Sequence, residues 1–315
     1  MTKRTTKNVA ASVRQRLLNL AKDRGEEFHL VLARYAIERF LYRLSRSKHR
    51  DLFVLKGATL IQAWGASRHR ATRDLDLLGH GDSDPAAVAD VVRAVCGTPV
   101  EDDGLVFVAD TIAAGRIRED QVYEGVRVRL TAVLAGAEIP VQVDVGFGDA
   151  VTPRPRALLV PTLLDQPAAK LAAYPRESVV YEKLEAMVAL GIGNSRMKDF
   201  YDVAYLAQHF PFDGARLVRA VRATFKRRGT PLPAAPPIAL TIAFAEDPAK
   251  QAQWRAFVSR DRVADADVDL RAAVARVTAF LGAPLDAARG RGNWVRTWPA
   301  GGPWRLRRAA SNRPT

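Results

Sequence analysis

Phe53-Val54-Leu55-Lys56-Gly57-Ala58-Thr59, followed by Arg73-Asp74-Leu75-Asp76-Leu77-Leu78, is the stretch on which the reading of this chain turns. The first segment is an apolar run stopped by a glycine. The second is apolar but carries two aspartates one residue apart. Along a strand, side chains alternate between the two faces. Asp74 and Asp76 then share one face, while Leu75 and Leu77 enter a core. Two carboxylates on one face repel each other unless a cation lies between them. Mg²⁺ binds in that manner, through one or two carboxylates plus substrate phosphates. The stretch reads as a phosphate-binding turn joined to a metal-binding strand.

Working outward, apolar spacing predicts helices over Val13–Ala21 and about Glu27–Leu44 ahead of this stretch, a helix from Thr59 to Trp64 inside it, and a helix over Pro85–Val95 behind it, capped by Ser83 or Asp84. Val106–Ala109 is a short strand candidate. Val126–Val133 alternates clearly, Gly136 marks a turn, and Ile139–Val145 is a further strand. There Val141, Val143 and Val145 share one face, and Gln142 and Asp144 the other. An acid in an apolar strand costs free energy unless something pairs it. Asp144 therefore reads equally as a third ligand beside Asp74 and Asp76, or as an edge-strand aspartate near a salt bridge.

Pro153 and Pro155 place a soft boundary near 150–165. Beyond it, helices are expected over Ser178–Leu190, Asp199–His209, Gly214–Arg228, Pro248–Val258 and Asp269–Leu281. Thr230–Ile238 carries Pro231, Pro233, Pro236 and Pro237 and reads as an extended connector. The expected class is α+β, in three parts: helices and a core sheet over 1–160, a helical domain over 161–285, and a mobile basic tail over 286–315. That tail has Trp294, Trp298 and Trp304 as its means of docking. Basic residues from Arg216 to Arg228 form a stripe on their helix, and the loop 65–72 carries Arg68, His69 and Arg70.

Of the 315 residues, 48% are hydrophobic, which favours a packed core over a disordered chain. A single cysteine, Cys96, excludes an internal disulfide and argues against a cysteine-based metal site. No apolar run approaches the roughly 20 residues of a membrane helix, and no apolar segment follows the basic N-terminus, so a membrane partner and a secretory signal are not expected. A reducing cytoplasm fits best. The net charge of +14 makes nucleic acid the first partner to consider, although part of that excess belongs to a generally Arg-rich and Ala-rich composition.

A glycine turn after an apolar strand, then a helix, then an Asp-x-Asp strand is what nucleotidyl transfer requires. Turn amides and Thr59 can hold phosphates, and the two aspartates a metal on the triphosphate. These two segments, together with Tyr-Glu-Lys-Leu-Glu-Ala-Met (181–187) and Asn-Ser-Arg-Met-Lys-Asp-Phe-Tyr-Asp-Val (194–203), resemble in type and order the motifs of the AbiEii/AbiGii family. Its members are nucleotidyltransferase toxins of abortive-infection and toxin–antitoxin systems, with the MenT toxins among their relatives. The resemblance runs from about Val13 to about Phe257. It implies a DNA polymerase β-like nucleotidyltransferase fold with a helical C-terminal part. It also implies an NTP substrate, Mg²⁺ (or Mn²⁺) as cofactor and a cognate antitoxin as partner. The implied reaction adds NMP to an RNA acceptor, the tRNA 3′ end, with release of pyrophosphate.

Carried over by position, Gly57 and Thr59 belong to the phosphate turn, and Asp74 and Asp76 are catalytic metal ligands. Lys183 contacts the nucleotide phosphates. Asp202 is the acid of the last motif, with Lys198 and Asp199 beside it, and Asp144 sits where a third acid is expected. Ala58 departs from the pattern, standing where a second glycine or serine is common. Without the resemblance, Lys183 reads as a helix-surface lysine paired with Glu182 or Glu185. Lys56, next to the turn, reads equally as a structural or nucleic-acid contact or as a catalytic group, and is placed with the nucleotide-binding residues. Arg196 reads as a partner of a site acid or as a phosphate contact. His69, His80 and His209 have no ligand spacing. Two other readings compete with the first: an enzyme that nucleotidylates protein, and a non-catalytic RNA- or antitoxin-binding protein.

Overall fold

The computed structural model describes residues 8–65, 70, 72–117, 125–149, 151–261, 263, 269–290, 292 and 294–307. The basic leader at 1–7, Arg68 and His69 of the loop, and the arginines beyond Arg307 lie outside these residues. The chain divides into two units. One comprises Met1–Trp64, Ala71–Asp149 and Arg156–Ala173; the other comprises Gly65–Arg70, Ala150–Pro155 and Tyr174–Thr315.

In the first unit, α1 (Val9–Arg24) starts where the Asn8 side chain accepts a hydrogen bond from the Ala11 amide, and it buries Val13, Leu17 and Ala21. The next helix, α2 (Phe28–Arg46), is buried along most of its length and takes two arginines inward. Arg43 forks onto the buried Asp103 at 2.6 and 3.0 Å, which answers a charge that would otherwise be costly to desolvate. After it come β1 (Phe53–Lys56), α3 (Ala58–Trp64), β2 (Asp74–Gly79), α4 (Pro85–Cys96), β3 (Leu105–Arg116), β4 (Gly125–Leu134), β5 (Ala137–Phe147), β6 (Arg156–Leu159) and β7 (Lys170–Ala173). Asp84 caps α4, with Pro85 just inside.

The seven strands form one mixed sheet in the order β3-β4-β5-β2-β1-β7-β6. The pairs β2–β5 and β1–β7 are parallel and the others antiparallel. β4 and β5 are joined by Ala135–Gly136, both with positive φ (47° and 78°), the turn geometry that matches strand twist. That two-residue turn fixes the register, and Arg127 falls opposite Asp144.

Two differences from expectation stand out. β3 runs past Ala109 across a register irregularity between Val108 and Ala113. In addition, β7 pairs with β1 at Leu55 and Ala173, so the first unit reaches Ala173 rather than stopping near 160. β6 and β7 have four residues each, too few for alternation to declare them.

The second unit is built from α5 (Arg176–Leu190), α6 (Met197–His209), β8 (Phe212–Asp213), α7 (Gly214–Arg228), α8 (Ile242–Glu246), α9 (Pro248–Asp261), α10 (Leu270–Arg289), β9 (Arg296–Trp298) and β10 (Arg305–Leu306). The last two strands and β8 form a small antiparallel sheet in the order β10-β9-β8. α10 was expected to end at Leu281 but continues through Pro284 to Arg289. A helical proline has no N–H to offer the carbonyl four residues back, which here belongs to Phe280. The Trp304 indole N–H donates to that oxygen at 2.8 Å instead. Trp298, 4% exposed, donates to the Ala207 carbonyl at 2.7 Å in the last turn of α6. Arg222 donates to the Ala287 and Ala288 carbonyls at the end of α10, at 3.1 and 3.0 Å. The expectation of a mobile segment beyond 285 is therefore corrected for residues 294–307. They fold back and satisfy helix carbonyls that otherwise lack donors. Among the described residues, no helix is long and apolar enough to cross a membrane.

Candidate active site

In the first unit the site grows from the turn after β1. Phe53, Val54 and Leu55 are buried and anchor the strand. Gly57 then takes φ +77°, in the left-handed region where a side chain is strained. A Cβ on Gly57 would lie 1.9 Å from Asp76 Oδ2 and 2.7 Å from Asp76 Cβ. Only glycine lets the turn pass this close to the aspartate. Two residues further on, in α3, Thr59 is buried, and its hydroxyl has no hydrogen-bond partner among the described residues. A buried orphan hydroxyl is costly unless a ligand atom supplies what the protein does not.

β2 behaves as its sequence requires. Leu75 and Leu77 are buried, and Asp74 and Asp76 are half-buried on the other face. Asp76 stands between Lys56 of β1 and Asp144 of β5, and Asp144 stands next to Arg127 of β4. Four charged side chains thus cross the sheet in one row: lysine, aspartate, aspartate, arginine. Arg127 grips both oxygens of Asp144, at 2.8 and 2.7 Å, and Gln142 donates to one of them at 3.3 Å. The ammonium of Lys56 lies 3.4 Å from Asp149 Oδ2.

Of the two readings of Asp144, the geometry favours the salt bridge. Among the described residues no group of three His, Cys, Asp or Glu side chains is assembled to hold a metal, and Asp144 is engaged by Arg127. The pair Asp74 and Asp76 still offers oxygen donors alone, the chemistry that suits a hard divalent cation. Arg127 was not singled out as a site residue. The turn at Gly136 was the signal, because a two-residue hairpin there places residue 127 opposite 144.

In the second unit, α5 and α6 bring the other expected residues together. Lys183 on α5 reaches Asp199 at 2.5 Å and Asp202 at 3.0 Å, on the first two turns of α6. Arg70 also forks onto Asp202, Nε to Oδ1 at 2.8 Å and Nη2 to Oδ2 at 2.9 Å. Asp202 is fully buried, and the other three are nearly so. Burial alone would push the Lys183 ammonium down. Asp199 and then Asp202 more than offset that, and the net shift is upward, so Lys183 stays charged at neutral pH.

The pairing of Lys183 with Glu182 or Glu185 is not what forms. Glu185 is held by Arg228 at 2.7 Å, and Arg228 is also 3.8 Å from Glu182. Lys198 is exposed and stands outside the cluster, while Arg196 is half-buried at the start of α6. The loop that carries Arg70 read only as generally cationic, and no local pattern marks which of its basic residues turns inward. His209 stacks on Tyr205, with ring centres 4.1 Å apart, and His80 is exposed.

A family model for the nucleotidyl transferase AbiEii toxin of type IV toxin–antitoxin systems matches residues 39–276. The chain belongs to the AbiEii family. As an AbiEii protein it belongs to a nucleotidyltransferase family of toxins, which implies a nucleotide substrate and an antitoxin partner. The AbiEii match contains Gly57, Asp74, Asp76, Lys183 and Asp202 and ends before the small sheet is complete. No curated protein matches this AbiEii chain. Two solved structures are similar to it. One is a candidate nucleotidyltransferase from Helicobacter pylori, with TM-score 0.46 and 15% identity, covering 86% of this chain and 96% of that one. The other is JHP933 from Helicobacter pylori, with TM-score 0.47 and 15% identity, covering 87% and 93%.

Proposed function

We propose that this AbiEii toxin has the DNA polymerase β-like nucleotidyltransferase architecture and transfers a nucleoside monophosphate from an NTP to the 3′ end of tRNA, with Mg²⁺ as cofactor. The observation that carries the reading is the close approach of Gly57 to Asp76, with Asp74 on the same face and the orphan hydroxyl of Thr59 beside the turn. Asp74 and Asp76 would hold the divalent ion. When bound, such an ion neutralises triphosphate charge and stabilises the attacking and leaving oxygens of an in-line displacement.

The chain's own groups supply the rest. The Gly57 turn and Thr59 bind phosphate oxygens, and Lys56 adds positive charge next to the turn. Lys183, kept as an ammonium by Asp199 and Asp202, is assigned to the nucleotide phosphates, with Arg196 and Lys198 as further cations near the start of α6. Asp144, held by Arg127, orients the charged row rather than completing a trio. In the reaction, the acceptor hydroxyl oxygen forms a bond to the α-phosphorus, the bond from that phosphorus to the β-bridging oxygen breaks, pyrophosphate leaves, and the hydroxyl proton passes to solvent.

The test is a labelling screen of each NTP against tRNA and total protein, with Mg²⁺. Label should appear on tRNA and be reduced by about 100-fold or more in Asp76→Asn, the scale of losing one electrostatic element of a catalytic centre. Equal labelling by that variant would sink the site assignment. Label on protein alone would replace the acceptor with a polypeptide.

A further inference from the structure

The structure divides the basic stripe of α7 into two classes. Arg222 is engaged by the carbonyls of α10, and Arg228 by Glu185. Arg216 and Arg219, one turn apart, are exposed, with no carboxylate partner among the described residues. Their helix starts where β8 ends and packs on β8 and β9. Phe212 opposes Trp298 on the buried side, while Asp213, Thr297 and Arg305 stand abreast on the other. Arg307 lies there too, with Nη1 3.2 Å from Asp213 Oδ2 and a side chain 61% exposed. The other oxygen of Asp213 accepts the Arg216 amide at 2.9 Å and caps α7. One aspartate therefore ties Arg307 to the start of the helix. It is the only acid from Phe212 to Arg228, and the sequence has none from Ala287 to Thr315.

We propose that this face, presenting Arg216, Arg219, Arg305 and Arg307, docks the phosphate backbone of the RNA acceptor. The inference rests on the RNA reading above and adds a location to it. Arg305 on β10 and Arg307 just past its end are two residues apart, and Arg216 and Arg219 on a helix stand about 5–6 Å apart. Spaced guanidinium groups suit a run of phosphates better than a single anion. A protein partner would want aromatic anchors at the centre of its footprint. Here Trp298 is buried against α6, and Trp304 is bonded to α10. Trp294 closes on Gly214, where a Cβ would come within 2.7 Å of its ring. The strands β9 and β10 lie beyond residue 276, so half of the surface is outside the segment that defines the family.

The experiment is fluorescence anisotropy of labelled tRNA, a short single strand and a short hairpin with the full chain, without NTP, over a salt series. The triple variant R216Q/R219Q/R305Q should bind at least about 10-fold more weakly and lower the slope of log affinity against log salt by roughly 2–3, since each backbone contact contributes about 0.7–0.9. The control R16Q/K22Q/K48Q removes the same charge from exposed positions outside this face and should leave affinity and slope near wild type. Equal losses in both variants would assign binding to net charge and overturn the proposal, as would unchanged binding in the first variant. An unaltered thermal midpoint for the first variant confirms that its fold is intact. Wild-type protein that binds none of the three RNAs also overturns it. If the RNAs bind but no nucleotide is transferred, the surface stands and the reaction reading falls.

Discussion

Gly57 carries two demands at one residue, a left-handed backbone and the absence of a Cβ against Asp76. Gly57→Ala should cost about 1–3 kcal/mol from the backbone alone. Because the intruding methyl meets Cβ of Asp76 as well as its carboxylate, the aspartate must move, and nucleotide transfer should fall by more than the stability loss explains. Chemical denaturation alongside the labelling assay separates the two effects. Lys183 poses the opposite problem, a charge that others depend on. Lys183→Met leaves Asp199 and Asp202 with Arg70 as their cation in the cluster, and removing one partner of such a buried set typically costs about 3–5 kcal/mol. In the wild type the folded pKa of Lys183 is raised, so its contribution is fully present below the unfolded value of about 10.4 and is lost as pH rises through the higher folded value. Denaturation midpoints of both proteins across pH check this, and a constant difference would count against the cluster.

At the scale of elements, what the sequence disclosed depended on length and alternation. β2, β4 and β5 lie where alternation put them, and α5, α6 and α7 differ from expectation by at most two residues at an end. β6, β7, β9 and β10 are two to four residues long, below the length at which a period can be recognised. α10 misled because Pro284 reads locally as a stop, and the Trp304 donor that lets the helix continue lies 20 residues further along the chain. Trp304→Phe keeps much of the ring packing but removes that donor. Leaving the Phe280 carbonyl unanswered should lower stability by about 1–3 kcal/mol. Hydrogen exchange of the α10 amides near Pro284 should quicken if the bond does what the geometry says.

At the scale of the whole molecule, the acids and lysines were legible because their motifs are local. The arginines that position them were not. Arg127 reaches Asp144 through a hairpin register, and Arg70 reaches Asp202 across 132 positions of sequence. Such partners are set by tertiary structure, and a single chain shows them only as unassigned positive charge. Some of the +14 that first suggested nucleic acid is therefore structural, since Arg70, Arg127 and Arg228 are engaged by buried or half-buried carboxylates.

The cluster of Arg70, Lys183, Asp199 and Asp202 has an evolutionary consequence. It holds two positive and two negative charges out of water, so its sum is zero. A lineage that loses one member alone carries a stranded charge in its interior, whereas a lineage that loses one of each sign does not. Substitution at these four positions should therefore proceed in pairs of opposite sign. Across descendants the quartet should be inherited as a block or dismantled two by two, which leaves a covariation signature linking position 70 to position 202.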